Sequence, residues 1–243
     1  MPDTRSHRGA HPDDARLFAA DAVPRLRAAV ADLSWLLSRG YAQPGALQLV
    51  GNRFGLEQRQ RQAVTRCACT DEAKARRQAA RVPPESVAGA TLLIDGYNVL
   101  TTVEAALGGA VVLGARDGAF RDIAAVHGTY RAVEETLPAL TAVGETVADL
   151  HVARCVWFLD APVSNSGRLK AAIESVAREC GWAWEVRVVP NPDADLSATA
   201  PAPQVVVATA DSVIIDACGR WFGLAREVVS AKAANARVID LSV

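Results

Sequence analysis

The chain has 243 residues, half of them apolar, and a formal net charge of −1. It contains no run of about 18 apolar residues that could form a membrane-spanning helix, and its charged N-terminus lacks a secretory signal. Five cysteines are scattered through it, an odd number that favours reduced thiols over a disulfide framework. We therefore expect a cytoplasmic protein that makes no membrane contact, with one small and one medium domain.

The charge is unevenly distributed along the chain. Residues 1–86 contain 14 Lys and Arg against 9 Asp and Glu, whereas residues 87–243 contain 12 against 18. A basic part beside an acidic part suits a polyanion-binding module joined to a metal-binding one. Two ordinary solvated surfaces would give the same distribution.

The first part of the chain has a helical pattern. Residues 1–12 are predicted to be disordered, and residues 13–86 to form a small basic helical domain. Within it, the segments 46–54 and 56–68 carry several arginines on either side of a break at Gly55. This pair fits either a helix–turn–helix with an exposed basic second helix or a plain helical bundle.

The second part, residues 87–243, alternates apolar runs with helical segments. This alternation predicts an α/β fold with a doubly wound parallel sheet. The predicted strands are 90–95, 154–160, 184–189, 204–211 and 226–230, and the predicted helices are 129–149, 166–180 and 212–222. Right-handed crossovers would place the carboxyl ends of the strands at one edge, where ligands of such sheets bind.

Three of these predicted strands end in an aspartate: Asp95, Asp160 and Asp211. If the strands are parallel neighbours, the three carboxylates converge and repel one another, and a bound cation is the simplest remedy. Oxygen ligands favour Mg²⁺ or Mn²⁺ over zinc. A single aspartate at a strand end is often only a helix N-cap, and Asp211 before Ser212 fits that alternative well.

Polar residues that follow the strands are candidates for substrate binding. Asn98 follows the first strand, and Ser164, Ser166 and Arg168 lie in the loop that opens a helix after Asp160. Such a loop presents backbone N–H groups to an anion, typically a phosphate. The alternative is a capping loop with Ser166 as the N-cap.

Other polar residues could reach the same edge. Asp117, Asp122 and His127 lie in a polar insert between the first two strands, and long inserts of this kind are often active-site loops. His127 could be a general base or a hydrogen-bonded loop residue. Asp193, in the segment Asn-Pro-Asp, has the composition of a plain turn.

Three motifs resemble the PIN-like nuclease superfamily, particularly its NYN-type branch. They are LLIDGYNVL, VWFLDAPVSNSGR and VVVATADSVIID, and the resemblance covers about residues 90–230. The whole chain is also similar to a two-part family in which a small helical domain precedes a PIN-like domain. The resemblance implies Asp95, Asp160 and Asp211 as metal ligands, with Asn98 and Ser212 beside them.

The sequence departs from the superfamily pattern at one position. The usual second acid, on a helix after the first strand, has no clear counterpart, although Asp117, Asp122 and Glu134 are candidates. This gap leaves open the number of metals and the activity that depends on them.

Three functions follow from these expectations. The first is a nuclease that depends on Mg²⁺ or Mn²⁺ and cleaves RNA in preference to DNA, with the basic N-terminal part holding the strand. The second is a catalytically silent PIN-like module that binds RNA or a protein. The third is a hydrolase of small phosphate esters, and the sequence leaves open whether the protein forms a homo-oligomer.

Overall fold

The computed structural model describes residues 7–123, 130–199 and 202–243. Five helices and a short 3-10 turn precede the first strand. They are α1 (Asp14–Leu17), α2 (Val23–Ser38), α3 (Gln43–Arg53), α4 (Gln58–Cys67), α5 (Asp71–Ala80) and the turn Pro84–Ser86.

Strands and helices then alternate to the end of the chain. Their bounds are β1 (Thr91–Asp95), α6 (Gly96–Leu107), β2 (Val111–Gly114), β3 (Phe120–Asp122), α7 (Thr136–Asp149), β4 (Arg154–Asp160), α8 (Ser166–Cys180), β5 (Trp184–Val189), α9 (Pro192–Ser197), β6 (Val205–Ala208), α10 (Ser212–Ala217), β7 (Trp221–Phe222), α11 (Leu224–Lys232) and β8 (Arg237–Asp240).

The central sheet has five strands in the order β5-β4-β1-β6-β7, and all of its neighbours pair in parallel. The chain moves outward from β1 in both directions, so β1, β4 and β6 lie at the centre. Their carboxyl ends therefore meet at one edge, as the strand pattern predicted.

Alternate residues of the central strands point into two separate cores. Leu92, Ile94, Trp157 and Leu159 pack with residues of α6, α7, α8 and α11 on one face. Val156, Phe158 and Val207 pack with residues of α9 and α10 on the other. The predicted α/β architecture with a parallel sheet and an N-terminal helical region is confirmed, and the helices cover both faces of the sheet.

A second, three-stranded sheet has the order β3-β2-β8. It has antiparallel β2–β3 pairing and parallel β2–β8 pairing. Its residues Val111, Leu113 and Ile239 share a hydrophobic core with α2, α3 and α4. The N-terminal helices are thus packed on strands from the second part of the chain and do not bury their apolar faces among themselves alone.

Three sequence expectations are wrong in detail. The helix predicted over 212–222 ends at Ala217, and Trp221–Phe222 form β7. The segment 226–230 was predicted to be a strand but lies in α11. Its valines, with Leu224 and Ala225, bury one face of that helix at 3.6-residue spacing. The helix predicted over 129–149 begins only at Thr136 within the described residues.

The N-terminal segment also differs from expectation. We expected residues 1–12 to be disordered. Residues 1–6 lie outside the described residues, but Arg8 is buried and its Nε donates to Oε2 of the fully buried Glu104 over 2.8 Å. Burying both charges requires this pairing. Across the three described ranges, the helices lack the length and apolar character needed to cross a bilayer.

Candidate functional site

Asp95 and Asp160 point to the same face of the central sheet. Asp95 pairs with Phe158 in the parallel register, so Asp160 lies two residues further along β4 and on the same side as Phe158. That side is the one covered by α9 and α10. The register therefore directs both carboxylates towards the helices that follow β5 and β6.

Gly96 allows α6 to start directly after Asp95. A Cβ atom at this position would lie 2.8 Å from the carbonyl oxygen of Phe158 and 2.6 Å from a methyl carbon of Leu159. Only glycine fits so close to the backbone of β4. The Asp-Gly pair thus ends the strand and begins the helix without moving Asp95 from the sheet edge.

Asp95 is a buried carboxylate with a hydroxyl partner. It is 9% exposed, and the Thr209 hydroxyl, from the residue after β6, donates to its Oδ2 over 2.7 Å. Burial raises the pKa of Asp95 to about 7; the Thr209 hydrogen bond opposes this rise, whereas Asp211 and Asp193 add to it. Sequence inspection missed Thr209, whose only signal is its position at the end of a buried strand.

Asp211 is both a helix cap and a member of this site. Its Oδ1 accepts from the backbone N–H of Val213 at 2.7 Å and of Ile214 at 3.3 Å, so the capping interpretation is confirmed. Asn98 fixes the same loop, because its Oδ1 accepts from the backbone N–H of Ala210 at 3.2 Å. The predicted Asn98 and Asp211 therefore lie side by side.

Asp193 joins the three predicted aspartates. It lies in the first turn of α9 after Asn191, whose side chain accepts from the N–H of Ala194 as an N-cap, and after Pro192 at the first position. Asn followed by Pro is a helix-start signal, which we had interpreted as a plain turn. We call Asp95, Asp160, Asp193 and Asp211 the aspartate cluster.

Mutual repulsion links the members of the aspartate cluster. Burial raises the pKa of Asp160, with Asp193 adding to the rise. Burial likewise raises the pKa of Asp193, with Asp211 adding to it. Burial and then Asp160 raise the pKa of Tyr97 to about 12. Asp193 acts on both Asp95 and Asp160, so it is the member that connects the two strand ends.

The donor set is made of oxygen atoms, which suits Mg²⁺ or Mn²⁺. Within the described ranges, however, the structure contains no group of three or more His, Cys, Asp or Glu side chains arranged to hold one metal ion. Mg²⁺ commonly keeps several waters and takes only one or two carboxylates. The cluster therefore fits a partly hydrated ion better than a closed protein cage.

A cleft of about 580 Å³ lies beside the aspartate cluster, between the N-terminal helices and the sheet edge. Asn98, Asp211 and Ser212 line one wall. The arginine wall of the cleft consists of Arg66, Arg76, Arg77 and Arg121, and Nε of Arg121 donates to the carbonyl of Ala210 beside Asp211 over 2.7 Å. Arginine side chains beside acidic ones give this cleft both signs of charge, and its arginines are of the kind that bind phosphate groups.

Asp117 does not reach the aspartate cluster. It is 1% exposed and accepts from Arg77 at 2.7 Å and from Arg121 at 2.8 Å. Burial alone would raise the pKa of Asp117, but Arg121 and Arg77 hold it at about 2. This carboxylate is a structural counter-ion that joins α5 to the β2–β3 hairpin, which corrects the prediction of a catalytic role.

Asp122 is also placed elsewhere. Its Oδ2 accepts from the hydroxyls of Thr101 and Thr102, at 3.0 and 3.3 Å, beneath α6. Burial raises its pKa. Asp122, the second candidate from the insert, is therefore a buried group bonded to α6 and is not a member of the aspartate cluster.

The loop after β4 is less close to the cleft than expected. Ser166 is the first residue of α8, and Asn165, with φ 70°, occupies the N-cap position in its place. Arg168 lines a separate cavity of about 240 Å³ beside Tyr130, and Ser164 is exposed. Neither Arg168 nor either serine is among the residues that line the cleft. His127 lies outside the described residues.

The basic residues of α4 are largely engaged within the protein. Arg59 pairs with the buried Asp14 at 2.6 Å, and Arg61 donates to the carbonyl of Leu56 and to Asn52. These contacts stabilise the packing of α4 against its neighbours. Of the α4 arginines, Arg59 and Arg61 lie away from the cleft, and Arg66 lines it.

Comparison with known proteins assigns the chain to a family. The family described as "Domain of unknown function (DUF5616)" matches residues 84–227, and "Protein of unknown function (DUF434)" matches residues 25–79. An uncharacterized protein of Methanocaldococcus jannaschii is 32% identical over 184 residues, which cover 76% of this chain and 86% of that protein. No solved structure matches. The chain belongs to the DUF5616 family, with a DUF434 region before it.

Proposed function

We propose that the protein is a divalent-metal-dependent nuclease acting on RNA. The observation that carries this proposal is the aspartate cluster, whose four carboxylates act on one another's pKa at the edge of a parallel sheet and of which Asp211 lines the arginine-containing cleft. Such carboxylates repel one another unless a cation lies between them. The PIN-like, NYN-type resemblance of the strand motifs supports the same reaction, and neither family description names an activity.

Asp95, Asp160, Asp193 and Asp211 would hold one or two Mg²⁺ or Mn²⁺ ions. A bound metal supplies an activated water and offsets charge on the scissile phosphate. The chain itself positions the reacting groups. Thr209, at the end of β6, orients Asp95 through its hydrogen bond. Asn98 holds the Ala210–Asp211 backbone at the edge of the cleft.

The arginine wall would bind the substrate backbone. Arg76 is the most accessible of its ion-paired members, with a side chain 48% exposed, and it contacts Asp216 at 2.9 Å. A phosphate can compete for such an exposed guanidinium, because surface ion pairs contribute little. Arg77 is 7% exposed and pairs with Asp117 and Asp216, so it shapes the wall without being free to move.

The test is cleavage of single-stranded and structured RNA in Mg²⁺ or Mn²⁺, with Asp95→Asn as the variant. We expect a loss of at least about a hundredfold, typical of removing a group that acts in the transition state. Asp149→Asn, an exposed carboxylate at the end of α7, is the matched control. Unchanged cleavage by Asp95→Asn, or turnover confined to small phosphate esters, would contradict the proposal.

A catalytically silent RNA-binding module is the second candidate. The absence, in the described ranges, of a three-ligand group for a metal favours it. It predicts RNA affinity that is unchanged by chelation and no cleavage under any metal. Calorimetric titration with Mn²⁺ alone separates the two candidates. The nuclease must bind Mn²⁺ with a heat that Asp95→Asn abolishes, whereas the silent module has no such requirement.

A further inference from the structure

Helix α5 separates two cavities. Ala73, Arg76 and Arg77 line the cleft beside the aspartate cluster. Lys74 and Gln78, four residues apart on another side of the helix, line a second cavity of about 510 Å³ that continues to Arg81. This second cavity is distinct from the proposed catalytic site, and nothing in the reaction proposed above uses it.

Two arginines converge on one point in this second cavity. A Cβ atom built on Gly118 would lie 2.8 Å from Nη1 of Arg81 and 3.8 Å from Nη1 of Arg226. Gly118 has φ +89° in the turn between β2 and β3, a conformation that L side chains rarely adopt. Because Gly118 has no side chain, the guanidinium groups of Arg226, from α11, and Arg81, at the end of α5, can both lie against its backbone.

Aromatic rings and a carbonyl hold these guanidinium groups in place. Arg226 lies over the Phe120 ring at 5.0 Å and donates to the carbonyl of Gly118 at 2.9 Å. Arg81 lies over Trp221 at 5.7 Å, with 28% of its side chain exposed. Cation–π contacts of this kind orient a guanidinium while leaving N–H donors available.

The neighbouring acids do not neutralise the pair fully. Asp117 is already paired with Arg77 and Arg121. Asp240 pairs with Arg27 at 3.3 Å, and Glu227 reaches Arg81 only at 3.9 Å. Burial and the charge of Arg226 lower the pKa of Arg81, as expected where like charges face each other. Lys74 and Arg116 also line the cavity, where both donate to an oxygen of Val243, and Arg116 pairs with Asp71.

We propose that this cavity, the Arg81–Arg226 pocket, binds the phosphate group of an anionic ligand. Two forked guanidinium groups directed at one point match the tetrahedral oxygens of phosphate, and each charge-assisted hydrogen bond is about twice as strong as a neutral one. The phosphate comes from a small phosphorylated molecule or from a nucleic-acid backbone. Its binding needs neither the aspartate cluster nor a metal.

The experiment is calorimetric titration of the full chain, in chelator and at fixed ionic strength, with inorganic phosphate, adenosine monophosphate and a single-stranded RNA oligonucleotide. The variants are Arg81→Gln and Lys74→Gln. Arg39→Gln is the matched control, because Arg39 is stacked on the exposed Trp35 in the helical region. Thermal unfolding of each variant checks folding. Asp95→Asn, tested in parallel, should bind phosphate like the unmodified chain even if it abolishes cleavage.

We expect at least one of the three probes to bind, and Arg81→Gln to weaken that binding about tenfold or more, as loss of one charge-assisted contact does. Binding of inorganic phosphate or the mononucleotide assigns the site to small ligands, and binding of RNA alone assigns it to a nucleic-acid backbone. Either result supports the proposal when Arg81→Gln weakens the binding and Arg39→Gln does not. No binding of any probe, or equal losses in Arg81→Gln and Arg39→Gln, overturns it.

Discussion

The hydroxyl of Thr209 donates a 2.7 Å hydrogen bond to Oδ2 of Asp95 and so ties the ends of β6 and β1 together. The same hydroxyl accepts from the backbone N–H of Asp211 at 3.0 Å. One neutral side chain therefore connects two members of the aspartate cluster. It also limits the rise in the pKa of Asp95 that burial causes.

Replacing Thr209 by valine should raise the pKa of Asp95 above about 7. A hydrogen bond to a charged group contributes about 1.5–3 kcal/mol, which corresponds to a pKa change of about one to two units. A carboxyl titration by carbon-13 NMR would measure this shift. Thr141→Val, which removes an exposed hydroxyl bonded only within α7, is the control and should leave the titration unchanged.

The free energy of unfolding should depend on the ionisation of Asp95. Below about pH 4 the carboxyl is protonated in both states. Between pH 4 and 7 the unfolded chain loses this proton more readily than the folded one, so stability falls as pH rises to about 7. Asp95→Asn removes this loss and should be more stable than the unmodified chain at pH 8, by up to about 4 kcal/mol.

Denaturant unfolding at pH 4 and pH 8, with and without Mn²⁺, checks this prediction. Mn²⁺ should stabilise the unmodified chain at pH 8, because a cation favours the ionised carboxylates, and it should stabilise Asp95→Asn much less. Equal stability of Asp95→Asn and the unmodified chain at pH 8 without metal would show that Asp95 carries no buried charge there.

Asp193 and Asp195 form a matched pair on α9. Both are exposed, but Asp193 acts on the pKa of Asp95 and Asp160, and Asp195 acts on neither. We expect Asp193→Asn to weaken Mn²⁺ binding about tenfold or more and to lower the pKa of Asp160, because a repelling charge is removed. Asp195→Asn should change neither. Equal effects of the two substitutions would remove Asp193 from the site.

Gly96→Ala should destabilise the fold by about 1–3 kcal/mol, because the new methyl group meets the Phe158 carbonyl, which cannot move without disturbing β4. It should also displace the start of α6 and with it Asn98. Gly167→Ala, near the start of α8, meets no atom within 4 Å and should be neutral or slightly stabilising. Chemical denaturation of both variants tests the contrast.

Asp117→Asn should cost about 3–5 kcal/mol of stability, because Arg77 and Arg121 would lose a buried counter-ion. Asp71→Asn removes the exposed partner of Arg116 and should cost under about 1 kcal/mol. Thermal unfolding compares the two. A small effect at Asp117 together with lost cleavage would instead restore the catalytic role that the sequence suggested.

The local pattern of the sequence determined much of the sheet. Short β-branched runs predicted β1, β4 and β5 closely, and parallel connectivity was enough to place Asp95, Asp160 and Asp211 at one edge. These features depend on neighbouring residues and on chirality rules, so they can be inferred without coordinates. The same reasoning failed for 226–230, because β-branched residues there pack one face of a helix.

Only the tertiary structure decided which other acids belong to the site. Asp193 belongs to the site because the alternation of side chains along β1 and β4 directs Asp95 and Asp160 towards α9. Asp117 is excluded because Arg77, forty residues away on α5, reaches it beside its near neighbour Arg121. Both outcomes depend on contacts between segments far apart in the chain. The sequence therefore determined where strand-end acids gather, and long-range packing decided which carboxylates remain available there and which are neutralised within the fold.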